Sequence, residues 1–166
     1  MKYFLSFALF FFVTVISAQT NIELTPQGFM TVESKSPNKP LDQLIRDSKS
    51  WAPFYNKKGY DISEVTENSL TIDAKVENAY HMYNVGVKYN YDITYKLKIA
   101  FDTSTNTYSL KISVKDIFTE NIAVKTTTAD FFTADGKVKD DYRDAKPLLE
   151  KTINKIVKSY INFMGQ

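Results

Sequence analysis

The sequence predicts a two-layer α+β fold: an antiparallel sheet of about five strands, in the order β-α-β-β-β-β-α, covered on one face by two helices. Two observations carry this expectation. Residues 70–76, 83–101 and 108–114 alternate apolar with polar side chains, the period of a sheet that is wet on one face only. Leu41, Leu44, Ile45, Ser48, Trp51, Ala52 and Tyr55 recur at helical spacing, as do Leu149, Ile153, Ile156, Val157, Tyr160, Phe163 and Met164.

The chain opens with Lys2, an apolar run over residues 3–16, and Ser17-Ala18 as small residues before a cut. This is the layout of a secretory signal peptide over residues 1–18. The run is shorter than the roughly 20 apolar residues a membrane-spanning helix needs. Cleavage would free Gln19 and leave residues 19–166 as one domain, not an integral membrane protein, in the periplasm or outside the cell. With no cysteine anywhere, neither disulfides nor a lipid-modified thiol can help, so packing must hold the fold. There are 21 basic and 19 acidic residues, and one basic residue, Lys2, leaves with the leader. Such a balance selects no class of partner.

Residues 28–34 read as a first strand, with Met30 and Val32 on one side. Pro40 opens a helix that has Asp42 in its first turn, Lys57 and Lys58 near its end and Gly59 as a stop. Pro53 is expected to kink or shorten it. Residues 60–63 form a brief strand, and residues 67–69 a turn into the strand at 70–76. Residues 78–82 read as a connection, and 83–101 as a long strand. The polar turn at 102–106 joins that strand to 108–114 in a hairpin. Residues 119–146 carry no clear period and read as an irregular insertion with a turn at Asp135-Gly136. The helical period returns from Pro147.

This element order, the helix PLDQLIRDSKSWAPF and the hairpin ITYKLKIAFDTSTNTYSLKISVKDIF resemble a secreted bacterial family, domain of unknown function 4468, described as TATA-binding-protein-like in fold. The resemblance covers residues 28–118, and the closing helix by pattern. It implies an exported protein with a sheet-plus-helices fold. It implies no activity and hands over no site residues, and the name describes a shape, not DNA binding.

The residues themselves offer little chemistry. Zinc sites gather three or four Cys, His or carboxylate ligands, and the only histidine is His81. Asp140, Asp141 and Asp144 form the densest acidic patch but lack calcium-loop spacing and suit a helix start instead. No nucleophile elbow or phosphate loop occurs. No cofactor and no enzyme are expected. A hydrolase using two of Asp73, Glu77, Asp92 and Asp116 is the minor alternative.

Two surfaces are candidates for binding. Lys88, Lys96, Lys98, Lys111 and Lys115 share the polar face of the sheet, where they keep it soluble or dock an anionic surface. That face lacks the aromatics that nucleic-acid readers use for stacking. Tyr89, Tyr91 and Tyr95 share the apolar face with Val85, Val87, Ile93, Leu97 and Ile99. They either pack beneath the helices or line the cavity of a helix-grip carrier, and the alternation leaves filled and hollow both open. The reading is thus a non-catalytic binding module, with an envelope protein, a glycan or a small apolar ligand as partner and no nucleic acid.

Overall fold

The computed structural model describes residues 21–120 and 122–166, so the leader expected over residues 1–18 lies outside the described residues. The first strand expected over residues 28–34 is in fact two pieces. A small hairpin pairs β1 (Leu24–Thr25) with β2 (Gly28–Phe29). The chain breaks at Met30, which is exposed, before β3 (Val32–Lys35) joins the main sheet. The Thr25 hydroxyl closes the hairpin by donating to the Gly28 carbonyl at 2.8 Å.

Helix α1 (Leu41–Tyr55) buries Leu44, Ile45, Ser48, Trp51 and Ala52 on one stripe. Pro53 does not shorten it. Pro53 sits in the last turn, and the Asn56 backbone N–H still reaches the Ala52 carbonyl at 2.9 Å. Then come β4 (Tyr60–Ser63), β5 (Ser69–Asn84), β6 (Val87–Asp102), β7 (Thr107–Thr119) and β8 (Ile122–Val124). All pairings are antiparallel, in the order β3-β7-β6-β5-β4, with β8 beside the far end of β7. The sheet has six strands, against the about five expected, with the short β8 as the addition.

Residues 78–82 are not a connection. They belong to β5, which carries an irregularity between Val76 and Tyr80. Asn78 takes a positive φ of 52° there, and its N–H donates to the Asp92 carboxylate at 2.9 Å. The reversal comes later, at Val85 and Gly86, with φ of 48° and 78°. Two consecutive positive φ values match the right-handed twist of the flanking strands.

Helix α2 (Ala145–Met164) buries Leu149, Ile153, Ile156, Val157, Tyr160 and Met164. Each such side chain taken from water contributes about 1.5–3 kcal/mol before entropy is counted. The two helices meet through Ser48 and Tyr160, whose oxygens are 2.7 Å apart. Ser48 gives its own proton to the Leu44 carbonyl, which leaves Tyr160 as the donor. The Trp51 ring packs edge-on against Tyr160 and stacks on Tyr55. α2 also holds the start of the described chain. The Asn154 side-chain amide accepts from the Ile22 N–H and donates to the Ile22 carbonyl, both at 2.9 Å. Glu150 accepts the Leu24 N–H at 2.7 Å.

Of the stretch expected as an irregular insertion over 119–146, residues 122–124 form β8, and residues 125–144 are irregular but built into the core. Two 3-10 turns, Thr128–Phe131 and Asp140–Tyr142, flank a single bridge between Phe132 and Val138. Phe131 is fully buried, stacked on Tyr142 and edge-on to Tyr80. The segment thereby covers the part of the sheet that the helices leave bare. Among the described residues, no layer covers the opposite face of the sheet.

Candidate functional site

The uncovered face is built from alternate side chains of three long strands. β5 contributes Thr71, Asp73 and Lys75, β6 contributes Thr94, Lys96, Lys98 and Ala100, and β7 contributes Ser109, Lys111, Ser113 and Lys115. Register puts Thr71 opposite Lys98, Asp73 opposite Lys96, and Lys98 opposite Lys111.

Most of the charges on this face are paired. Lys115 reaches Asp73 at 3.0 Å, Lys96 reaches Glu64 at 3.5 Å and Lys75 reaches Asp92 at 3.1 Å. The Asp73 hydrogen bond raises the Lys115 ammonium above its ordinary range. Thr71 is buried although it points outward, because its hydroxyl donates to Glu64 at 2.8 Å. That bond, with the Lys96 charge beside it, lowers the Glu64 carboxyl. Thr94 donates to the Asp116 carboxylate at 2.8 Å and accepts the Asp116 N–H at 3.1 Å. An open hollow of about 300 Å³ lies here, lined by Asp61, Asp73, Lys75, Thr94, Lys115 and Asp116.

Lys98 and Lys111 differ from the rest. Both are exposed and stand directly opposite each other, and neither makes a close ion pair among the described residues, although the Lys98 charge adds weakly to the lowering of Glu64. Like charges directly opposite across strands destabilise a sheet. The five lysines therefore do not make one patch. Two are neutralised and two are apposed, while Lys88 lies at the far end of the sheet, opposite Tyr83.

The three tyrosines do not form one site either. Tyr95 has no exposed surface, and neither have Ile93 and Leu97 beside it. Its hydroxyl donates to the Asn56 side chain at 2.7 Å, and burial raises its pKa. Tyr95 is thus part of the core. Tyr91 is half-buried and stacks on Tyr80, with centroids 4.8 Å apart. Tyr89 lies farther out, in an open hollow of about 320 Å³ with Lys88, Asn90 and Thr119. Beyond them Val87 and Val85 are exposed, not roofed by helices as their parity suggested. The strip at 83–101 is not one strand, because the turn at Val85-Gly86 separates Tyr83 from Tyr89.

His81 packs edge-on against Tyr83. Among the described residues, no group of three His, Asp or Glu side chains could hold a metal. The acid candidates are individually engaged: Asp73 with Lys115, Glu77 with Lys58, Asp92 with Lys75, and Asp116 with Thr94. Asp140 pairs with Arg143, Asp141 shares its 3-10 turn, and Asp144 precedes α2. Sequence reasoning missed Glu64, whose only signal was its position just before a turn and within reach of an outward Thr71. No helix among the described residues is long and apolar enough to cross a membrane.

No family model matches the chain, and no curated protein matches it. Its fold is similar to that of a DUF4468 family protein from Bacteroides ovatus. The two share 7% identity and a TM-score of 0.58, over 82% of this chain and 85% of the other. The fold implied by the sequence resemblance is thus present, an α+β architecture with an open antiparallel sheet; at this identity the likeness is one of fold alone.

Proposed function

We propose that this is an exported, non-catalytic binding domain of the DUF4468 kind, and that it takes an acidic glycan on the uncovered face of its sheet. The apposed lysines Lys98 and Lys111 carry the reading. Stability alone gives little reason to place two cations without close ion pairs face to face, whereas an anionic group between them would relieve the repulsion. The floor around them is made of small side chains, Ala100, Ser109 and Ser113, which let an extended chain lie close to the strands. Outward aromatics for stacking bases do not accompany these lysines, which favours a glycan over nucleic acid. The acid candidates are tied up with lysines or a threonine, which supports binding over hydrolysis. The leader pattern at residues 1–18 supports export.

Affinity electrophoresis through a gel containing polygalacturonate tests the glycan reading. The parent should be retarded at low salt and released as salt rises, because surface charges are screened. The double variant K98E/K111E should run unretarded while K151E stays near the parent. A parent that ignores the polymer, or a double variant retarded like the parent, sinks the proposal. N-terminal sequencing of the protein from an envelope fraction tests export, with Gln19 as the expected first residue.

A further inference from the structure

The end of the β5–β6 ribbon is exposed on both faces. Every residue from 83 to 88 is exposed, so the ribbon projects past the layer formed by the helices and residues 119–146. Its tip carries large apolar side chains: Tyr83 is 64% exposed, Val85 96% and Val87 54%. Ile122 is also exposed, at 67%, but it lies on β8, which pairs β7 and not the ribbon.

Val85 is the most informative of these. It occupies the first turn position at φ 48°, a left-handed conformation that a β-branched side chain adopts at a penalty and that Asn, Asp or Gly adopts easily. With Val85 96% exposed, the described residues touch too little of it to explain the choice. A strained, solvent-facing valine serves neither folding nor solubility.

Charge is equally one-sided. Residues 78–91 contain Lys88 and His81 and no acidic residue. The acids that flank this stretch in sequence, Glu77 and Asp92, are ion-paired to Lys58 and Lys75, and the one further acid near it is Glu120, which lines the hollow beside Lys88 and Tyr89, back from the 83–87 tip. Tyrosine above an apolar tip, with lysine beside it, is the chemistry of the lipid–water boundary, where an amphipathic ring sits at headgroup depth and a cation meets phosphate. A protein partner fits less well. A stable protein interface takes about 800 Å² from each side, and a convex ribbon end with three exposed large side chains, Tyr83, Val85 and Val87, offers much less.

We propose that the β5–β6 tip docks on an anionic lipid surface, with Val85 and Val87 entering the headgroup boundary, Tyr83 at its level and Lys88 against a phosphate. This is independent of the glycan reading, which concerns a different part of the sheet.

The test is co-sedimentation of the full chain with phosphatidylcholine vesicles, with and without phosphatidylglycerol. The parent should bind the anionic vesicles at low salt and the neutral ones much less. V85N should bind severalfold less while unfolding at the same or a higher temperature, since asparagine suits the left-handed turn. That split separates loss of docking from loss of fold. K88E should lose the preference for anionic lipid, and K98E/K111E should bind vesicles as the parent does. The proposal is overturned if V85N binds like the parent or if the parent leaves anionic vesicles free. Vesicle binding lost in K98E/K111E but kept in V85N also overturns it, since the lipid contact would then belong to the open face.

Discussion

Tyr95 and Asn56 settle each other's place. The phenol donates to the Asn56 side-chain oxygen, and the Asn56 amide donates to the Ala52 carbonyl at 3.0 Å, so α1 ends on a bond made to β6. Y95F keeps the ring but leaves the Asn56 oxygen buried without a donor. An unmet buried acceptor costs about 1–3 kcal/mol. Urea denaturation should therefore show Y95F less stable by that amount, with the far-ultraviolet spectrum unchanged. The companion Y95F/N56A should lose less than the sum of the single changes, because the pair is coupled. Alternation along residues 87–101 was enough to assign Tyr95 to the inner face. Its partner was not legible, since Asn56 lies 39 residues away and no local rule joins them. Val85 was illegible for the opposite reason: valine signals strand, and here it occupies a turn.

At the scale of the element, α2 was the easiest to read. Its stripe of Leu149, Ile153, Ile156, Val157, Tyr160 and Met164 is buried as the helical period requires. β5 was the hardest, because Asn78 at positive φ and its irregular register look like a connection when only the alternation is followed. Residues 119–146 escaped for want of any period: Phe131 and Tyr142 come together through two 3-10 turns, which leave no repeating signature. The hold of α2 on the start of the chain was also invisible, because Asn154 and Glu150 sit on a helix as ordinary polar residues. N154L removes both bonds to Ile22 and should lower stability by about 1–3 kcal/mol. Hydrogen exchange should quicken at Ile22 and Leu24 first, with the middle of α2 still protected. Uniform acceleration across the protein would show that the contact is not local.

Seen whole, the molecule keeps several tyrosines out of water. Burial raises the phenol pKa of Tyr80, Tyr95, Tyr108 and Tyr160. In the unfolded chain each titrates at about 10. Above that pH the unfolded state releases phenolic protons that the folded state retains, so stability falls as pH rises. The urea midpoint should show no tyrosine contribution up to about pH 9 and should decline above about pH 10, together with a rise in phenolate absorbance. A midpoint flat beyond that range would mean that these phenols ionise within the fold. The two-layer plan was legible because both of its periods were present in the sequence; the sixth strand was not, since β8 is three residues long.

The Asn154 clamp also bears on the order in which the chain can settle. Its two halves leave the ribosome 132 residues apart. The strands from β4 to β7 pair with immediate neighbours and can zip as they are made, since local pairings close small loops. Residues 22–24 must wait for α2, the last described element. Assembly therefore runs from the middle outward, and the earliest described residues to be synthesised are among the last to be seated.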